Sequence, residues 1–321
     1  MIELTKGIRS RIRSRIVELE QLIDRGAFGL KKILYCLCII MYNIKRRKKT
    51  MKLTVLVDNN TLIDDEYSFL GEPALSYFLE DGETKVLFDT GYSDIFLKNA
   101  ALKGIDLGTT THVVLSHGHN DHANGLAQLW EHFDTRQMTL ITHPMAFLPK
   151  TLPTGDIGAP YTEEEAGRHM KLHLSREPVA ITDRLWYLGE IPRANDFENK
   201  EPLGRIRLTN GWEDDFLSDD SALVYQGKEG LYIITGCSHS GICNIMEYAR
   251  KITGVEKICG IIGGFHLLTE DDRLERTIDF LEENTDCDLY PCHCVSLGAK
   301  IAMARRLPVR EVGVGMQFVM E

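Results

Sequence analysis

Three histidines and an aspartate lie within six residues of this chain, in the segment Ser116-His117-Gly118-His119-Asn120-Asp121-His122. Imidazole nitrogens combined with a carboxylate are ligands that suit zinc, iron or manganese. His117 and His119 are two residues apart, so in an extended segment their side chains point the same way and can share one ion. Asp121 and His122 follow a bend, where they can hold a second ion close to the first. The segment therefore predicts a site for two divalent metal ions, zinc by preference, with iron or manganese as alternatives.

The elements around this segment place it at the end of a buried strand. The apolar run 111–115 predicts a strand before it, and residues 121–133 predict a helix after it. The pattern predicts further strands at 52–57, 74–79, 84–88, 138–142, 179–188, 221–226, 231–235, 257–262 and 288–290, and further helices at 93–103, 242–252, 270–284 and 296–306. Strands that alternate with helices predict an α/β fold with helices covering the sheets, and two halves of similar make-up predict two sheets face to face.

Composition separates a short N-terminal extension, residues 1–50, from a body, residues 51–321. The extension carries 13 Lys and Arg against 4 Asp and Glu, a net charge of +9, which leaves −19 on the body when it is subtracted from the total of −10. The apolar run at 33–44 is too short to span a bilayer, so we expect membrane contact only if the extension is a real interfacial anchor. We expect translation to begin instead at Met51, which the mass of the natively expressed protein would test. Within the body, residues 144–219 are less periodic and predict an insertion or lid.

The acidic body argues against nucleic acid as a partner, because phosphate backbones are bound by basic surfaces. It is compatible with a small anionic substrate that is held by the metal ions and a few local arginines. The chain has eight cysteines and no convincing secretion signal, which favours reduced thiols in the cytoplasm over a disulfide framework. We therefore expect a cytoplasmic protein without nucleic-acid partners, and a homo-oligomer is possible.

Several segments resemble a known family. Phe88-Asp89-Thr90-Gly91, followed by His117 to His122, resembles the first two motifs of the metallo-β-lactamase superfamily, whose fold is a four-layer αβ/βα sandwich. The remaining likeness, which extends over residues 51–321, is to the subgroup of 7,8-dihydropterin-6-methyl-4-(β-D-ribofuranosyl)aminobenzene 5'-phosphate synthase-like proteins. It rests on Gly189-Glu190-Ile191-Pro192-Arg193 with Phe197-Glu198, Asp219-Asp220-Ser221-Ala222-Leu223, Thr235-Gly236-Cys237-Ser238-His239-Ser240-Gly241 and Ile262-Gly263-Gly264-Phe265-His266-Leu267.

The resemblance implies roles for the first motifs. It implies that His117 and His119 bind the first metal ion and that Asp121 and His122 bind the second. It also implies that Asp89 orients the histidine loop from behind, a support that metal sites commonly need. The alternative for Asp89 is a turn residue that follows a strand.

The later motifs depart from the superfamily pattern. Most members end a strand in Thr-Gly-Asp, whose aspartate bridges the two ions, whereas this chain has Thr235-Gly236-Cys237. Cys237 can replace that carboxylate as a thiolate, or His239 can supply the missing ligand, and a purely structural cysteine stays open as well. The histidine usually found before this strand pair has no counterpart; Asp219 and Asp220 lie nearest.

Three more residues are candidates for the site. His266, which follows strand 257–262, resembles the last histidine ligand of the superfamily. His293, within Cys292-His293-Cys294, is either an active-site residue or part of a buried cluster at a strand end. Arg193 is a candidate substrate-binding residue, because a guanidinium can hold a phosphate or carboxylate with two hydrogen bonds; the alternative is a solvated loop arginine.

The resemblance implies a dinuclear metalloenzyme, with Asp121 and His239 as catalytic residues. The subgroup implies pterin transfer, in which a carbon–nitrogen bond forms and diphosphate leaves. The first alternative is a metal-dependent hydrolase of an ester, lactone or phosphoester, since one fold hosts many reactions. The second alternative is a non-catalytic metal or redox sensor. Diphosphate release would separate the transferase from the hydrolase.

Overall fold

Strands that are buried on both faces form the two large sheets of this protein, which a computed structural model describes for residues 50–62 and 68–321. The predicted extension, residues 1–50, lies outside these residues except for Thr50. The strands are β1 (Met51–Val57), β2 (Ser76–Asp81), β3 (Thr84–Phe88), β4 (His112–Val114), β5 (Thr139–Thr142), β6 (Lys150–Leu152), β7 (Gly155–Asp156), β8 (Lys171–Leu174), β9 (Val179–Ala180), β10 (Leu185–Tyr187), β11 (Arg205–Leu208), β12 (Gly211–Asp214), β13 (Ala222–Gln226), β14 (Leu231–Thr235), β15 (Ile258–Gly263), β16 (Leu289–Pro291) and β17 (Gln317–Met320).

The first large sheet has seven strands in the order β17-β1-β2-β3-β4-β5-β8, and the second has six in the order β16-β15-β14-β13-β10-β9. Each sheet joins an antiparallel part to a parallel part: β3, β4, β5 and β8 are parallel in the first sheet, and β14, β15 and β16 in the second. The carboxyl ends of parallel strands lie at one edge of a sheet, so each sheet has an edge at which the following loops meet.

Seven α-helices accompany the sheets. They are α1 (Ile95–Leu102), α2 (Asn120–Ala123), α3 (Gly125–His132), α4 (Glu163–His169), α5 (Ile242–Thr253), α6 (Asp272–Asn284) and α7 (Leu297–Ala304), counted within the described residues. The cap residues match the ends: the Asp271 carboxylate accepts the Leu274 N–H at the start of α6, and Gly254 ends α5 with φ 69°. No helix among residues 50–62 and 68–321 has the length and apolarity needed to cross a bilayer.

The strands bury different residues on their two faces, which produces four layers. Leu53 and Phe88 of the first sheet pack with Tyr225 of the second in a core between the sheets. The opposite face of the first sheet packs against α1, α3 and α4, and the opposite face of the second packs against α5, α6 and α7. The predicted αβ/βα sandwich is therefore confirmed.

Two predicted elements are each divided in the structure. The predicted helix 121–133 is two helices, α2 and α3, that meet at Asn124. The predicted strand 179–188 is two short antiparallel strands, β9 and β10, because the Thr182 hydroxyl accepts the Leu185 N–H and closes a turn between them.

Residues 144–219, predicted as an insertion or lid, supply strands to three sheets. Four of their strands form a separate small sheet in the order β12-β11-β6-β7, while β8 joins the first large sheet and β9 and β10 join the second. Glu198 of this segment is buried and accepts the backbone N–H groups of Cys243 and Asn244, at 3.0 and 2.9 Å, which satisfies two donors in the first turn of α5. Movement of the segment as a lid stays a prediction.

Candidate metal centre

The candidate ligands follow the carboxyl ends of strands from both large sheets. The histidine segment 116–122 follows β4 of the first sheet. Cys237 and His239 follow β14 of the second sheet, and His293 follows β16. These strand ends face one another across the two sheets, so residues more than a hundred positions apart in sequence form one site.

The first group of ligands is His117, His119 and His239, whose candidate ligand nitrogens all lie within 4.8 Å of one another. All three side chains are buried, and within the described residues none of their Nε2 atoms has a hydrogen-bond partner. Burial lowers the pKa of all three imidazoles, that of His119 to about 4, so their nitrogens are neutral and able to donate a lone pair. Three buried nitrogens without partners are what a bound cation would satisfy, and the group fits a metal ion.

The second group is Asp121, His122, Cys237 and His293, and its ligand atoms are equally close. His122 Nε2 lies 3.1 Å from Cys237 Sγ and 3.2 Å from His293 Nε2. Asp121 Oδ2 lies 3.3 Å from His293 Nε2. The rings of His117 and His122 have centroids 4.3 Å apart, so the two groups adjoin. A carboxylate, two imidazoles and a thiol suit zinc or another transition metal.

Cys237 is buried within the second group, where its Sγ lies beside His122 Nε2. Burial raises the pKa of its thiol well above the ordinary value. A bound cation would oppose this effect, because coordination to a metal deprotonates a thiol. His239 lies with the first group and not with Cys237, and a bridging role for either residue stays a prediction.

His293, and not His266, lies among the four residues of the second group. His266, predicted as the last ligand, belongs to neither group: it is half-buried, and its ring centroid lies 4.4 Å from that of His239. His293, left open between two interpretations, is in the second group. The two histidines follow neighbouring parallel strands, β15 and β16, and both have positive φ values, 48° and 50°. A role for His266 in metal binding stays a prediction.

Asp89 lies behind the histidine loop and holds it by three contacts. Its Oδ1 accepts the Ser116 N–H at 2.7 Å, and its Oδ2 accepts the Ser116 hydroxyl and lies 2.7 Å from His122 Nδ1. Contact through Nδ1 leaves Nε2 of His122 directed into the second group. Burial opposes protonation of His122, but the carboxylates of Asp121 and Asp89 outweigh it and raise the pKa of the imidazole.

The loops of the centre approach one another too closely for side chains at two glycines. A Cβ on Gly236 would lie 2.1 Å from Ser116 Oγ, and one on Gly118 would lie 2.0 Å from the carbonyl oxygen of Ala146. Real Cβ contacts do not reach such distances, so glycine is required for the loops to meet.

A cleft of about 330 Å³ opens onto the first group. Its walls include His239, His266, Arg273, Lys200 and Asn199. Two basic side chains, Lys200 and Arg273, and two acidic ones, Glu201 and Asp271, line this cleft, so its walls present charges of both signs to a small molecule.

Arg193 lies in the loop beside this cleft and donates its hydrogen bonds within the protein. Its guanidinium donates to the carbonyl oxygens of Ile191, Phe216 and Leu217, at 2.5, 3.1 and 2.7 Å. It therefore braces the loop, and its role as a clamp for a substrate anion stays a prediction.

Sequence reasoning did not find the contacts that Asp219 makes at the centre. Its Oδ2 accepts the N–H of Gly118, between two ligands, at 2.9 Å, and its neighbour Asp220 is held by burial at a raised pKa of about 6. Two adjacent aspartates directly before a buried strand were a signal, because acidic pairs are seldom buried without a function.

Comparison with known proteins agrees with this architecture. Residues 70–250 match the family described as the metallo-beta-lactamase superfamily. The chain is 30% identical over 247 residues, 72% of this chain and 84% of the other, to the 7,8-dihydropterin-6-methyl-4-(beta-D-ribofuranosyl)-aminobenzene-5'-phosphate synthase of Methanocaldococcus jannaschii. It is 31% identical over 252 residues, 77% of this chain and 91% of the other, to the uncharacterized protein MJ0448 of the same organism.

A solved structure is also similar. The crystal structure of Tm1679, described as a metal-dependent hydrolase of the beta-lactamase superfamily, has a TM-score of 0.72 and 30% sequence identity, and the match covers 84% of this chain and 98% of that one.

Proposed function

Because this chain belongs to the metallo-beta-lactamase superfamily, we propose that it is an enzyme with two adjoining metal sites that acts on a small anionic substrate. One observation supports this most: three buried histidine nitrogens, which have no hydrogen-bond partners in the described part of the chain, adjoin a second group of four ligand atoms. Bound divalent cations would supply a water of lowered pKa and would stabilise negative charge that develops on the substrate.

In this proposal, neighbouring residues orient the ligands, and two of the ligands have further roles. Asp89 fixes the orientation of His122, and Ser116, whose hydroxyl is 2.9 Å from His117 Nδ1, does the same for His117. Asp121 is half-buried, unlike the other members of the second group, and is the proposed proton acceptor. His239 both completes the first group and forms part of the cleft wall.

We propose pterin transfer as the reaction. The likeness to the synthase supports it, because the matched segment covers most of this chain and most of the synthase. In this reaction the amine of a ribofuranosylaminobenzene 5'-phosphate attacks the methylene carbon of a dihydropterin diphosphate. A carbon–nitrogen bond forms, the carbon–oxygen bond to diphosphate breaks, and the amine proton passes to Asp121. Lys200 and Arg273, which line the cleft together with Glu201 and Asp271, are the proposed contacts for the phosphate groups of such substrates.

Hydrolysis is the second candidate. The likeness to Tm1679, which is described as a metal-dependent hydrolase, favours it. Tm1679 is 30% identical to this chain, as the synthase is, and its fold matches with a TM-score of 0.72. In this case the second substrate is water, so no amine is required. The sensor alternative predicts metal binding without turnover of any substrate.

The test supplies zinc, manganese or iron to the metal-free full chain and measures diphosphate release. Pterin transfer predicts release that requires both the dihydropterin diphosphate and the amine. Hydrolysis predicts either release without the amine or cleavage of ester, lactone or phosphoester substrates in a panel.

Two variants control this test. Asp121→Asn removes the proposed proton acceptor and is expected to lower kcat at least about 100-fold. Asp134→Asn changes an exposed carboxylate that pairs with Arg136 and should leave the rate unchanged. Full activity in the Asp121 variant, or no activity of the wild type with any substrate, would contradict the proposal.

A further inference from the structure

Three successive buried residues, Asp219, Asp220 and Ser221, each hold a different part of the metal centre. They lie directly before β13 and are fully buried. Asp219 accepts the Gly118 N–H, and the Ser221 N–H donates to the carbonyl oxygen of Ser116 at 2.9 Å. Asp220 Oδ2 accepts the backbone N–H and the hydroxyl of Ser240, at 2.8 and 2.5 Å. One short segment thus contacts both loops that carry the first ligand group.

Each aspartate contacts a position next to a ligand. Gly118 lies between His117 and His119, and Ser240 follows His239. A hydrogen bond to a backbone N–H fixes the peptide plane, and with it the direction of the adjoining side chains. Asp219 therefore helps to fix the side-chain directions of His117 and His119 in the β4 loop. Asp220 does the same for His239 in the β14 loop. Because the aspartates are neighbours in sequence, the two loops are held at a fixed separation.

Lys150 supplies the charge that accompanies Asp219. Its ammonium is fully buried and lies 2.9 Å from Asp219 Oδ1 and 2.8 Å from Asp215 Oδ2. Asp215 is as buried as Asp219, but it contacts the N–H of Leu217 and none of the ligand loops. Asp215 and Asp219 thus share one lysine, while only Asp219 reaches the metal centre.

The charges of this region are unbalanced without a cation. Three buried carboxylates, those of Asp215, Asp219 and Asp220, accompany one buried lysine, and Asp220 Oδ1 has no hydrogen-bond partner within the described residues. Buried charge is costly unless it is paired. The excess of buried carboxylates over buried cations in this region is what a cation bound nearby would offset.

We propose that Asp219 and Asp220 are positioning residues that fix His117 and His119 relative to His239, so that the first group binds its metal ion tightly. This inference rests on the proposed metal site. It assigns Lys150 the task of keeping Asp219 in place.

The test is a titration of the metal-free full chain with zinc in competition with a chromophoric chelator. Asp219→Asn keeps the shape of the side chain but loses its charge, and it is expected to weaken zinc binding by about 10–100-fold. Asp215→Asn is the matched control: it removes the other partner of Lys150 and is expected to change zinc affinity less than about 3-fold. Because both variants lose a partner of Lys150, their metal-free forms should show similar falls in thermal midpoint. Equal zinc affinities of the two variants would overturn the inference.

Asp220→Ala provides a second variant in case Asp219→Asn does not fold. Alanine removes the acceptor of both hydrogen bonds from Ser240, so zinc affinity is expected to fall by a similar factor. Unchanged zinc affinity in this variant would overturn the role of Asp220. His117→Ala separates this inference from the proposed function: if it binds zinc as the wild type does, the metal site itself is wrong. If His117→Ala loses zinc and Asp219→Asn keeps it, only the positioning role fails.

Discussion

Residues with strained backbone surround the metal centre. Six non-glycine residues among those described have positive φ, and four of them, Asp89, Ser238, His266 and His293, are in the ligand loops or directly behind them. Such conformations cost of order 1–3 kcal/mol each and persist where the surrounding structure holds them. The centre therefore depends on stability supplied by the rest of the protein to keep its side chains directed inward.

Asp89 combines a strained backbone with a direct contact to the candidate ligand His122. We predict that Asp89→Asn lowers zinc affinity by about 10–100-fold, because the amide cannot hold both Ser116 and His122 as the carboxylate does. Asparagine tolerates the positive φ of 54° at this position, so the backbone should be retained. Competition with a zinc chelator measures the effect. Asp81→Asn, whose carboxylate contacts Thr182 and Arg184, serves as the control and should bind zinc normally.

A matched pair of variants decides which histidine completes the second group. His266→Asn and His293→Asn both preserve a positive φ, so the backbone cost is similar. We predict that the His293 variant loses metal from the second group, because His293 Nε2 lies 3.2 Å from His122 Nε2. We predict that the His266 variant retains both metal ions. Elemental analysis of the two proteins gives the stoichiometry, and the opposite pattern would restore His266 as the ligand.

At the scale of elements, local patterns predicted most of the fold. Strand β3 is found with its predicted bounds, 84–88, and the β13–β14 hairpin and helix α5 lie within a residue of theirs, because period and turn signals are local. The compact motif 117–122 also predicted a metal site from sequence alone. Sequence could not show which histidine reaches His122, because this depends on how distant segments pack. His266 and His293 follow adjacent parallel strands, and the packing of the two loops places His293 beside His122.

Long-range polar contacts were beyond sequence reasoning for the same reason. Lys150 and Asp219 are 69 positions apart, and Asp219 and Gly118 are 101 apart. In sequence, a lone lysine, aspartate or glycine is typical of an exposed loop. Their burial follows from the way residues 144–219 fold over the carboxyl ends of the strands.

The close meeting of the β4 and β14 loops makes a prediction at this scale. Gly236→Ala would place a Cβ against Ser116 Oγ, so we predict a loss of stability of about 1–3 kcal/mol, together with weaker zinc binding. Chemical denaturation measures the first effect and chelator competition the second. Gly167→Ala, in an exposed position of α4 where the nearest atom would be 3.4 Å away, should instead stabilise the protein by up to about 1 kcal/mol. Normal stability of the Gly236 variant would show that the loops separate easily.

At the scale of the whole molecule, the metal centre connects the two large sheets. The first sheet contributes His117 to His122, and the second contributes Cys237, His239 and His293. A bound ion would therefore stabilise the arrangement of both sheets at once.

We predict that zinc raises the thermal midpoint of the full chain by about 5–10 °C. A ligand at 100 times its Kd adds about 2.7 kcal/mol of stability. In a domain of about 200 residues, 1 kcal/mol shifts the midpoint by about 2–4 °C. Thermal unfolding of the metal-free protein with and without zinc measures the shift. The double variant His117→Ala, His122→Ala lacks a ligand from each group and should show none; an equal shift in that variant would place the zinc elsewhere.

The pairing of β17 with β1 has a consequence for how the protein is made. Met51 pairs with Met320, so an edge of the first sheet receives its neighbour only when the far end of the described chain has left the ribosome. At about 5–20 residues per second, β1 waits for β17 on the order of tens of seconds. An unpaired strand edge is a template for association with other chains. Until β17 emerges, the seven-residue strand β1 presents an edge that other chains can pair with, so chaperones that shield this edge should raise the yield of the protein.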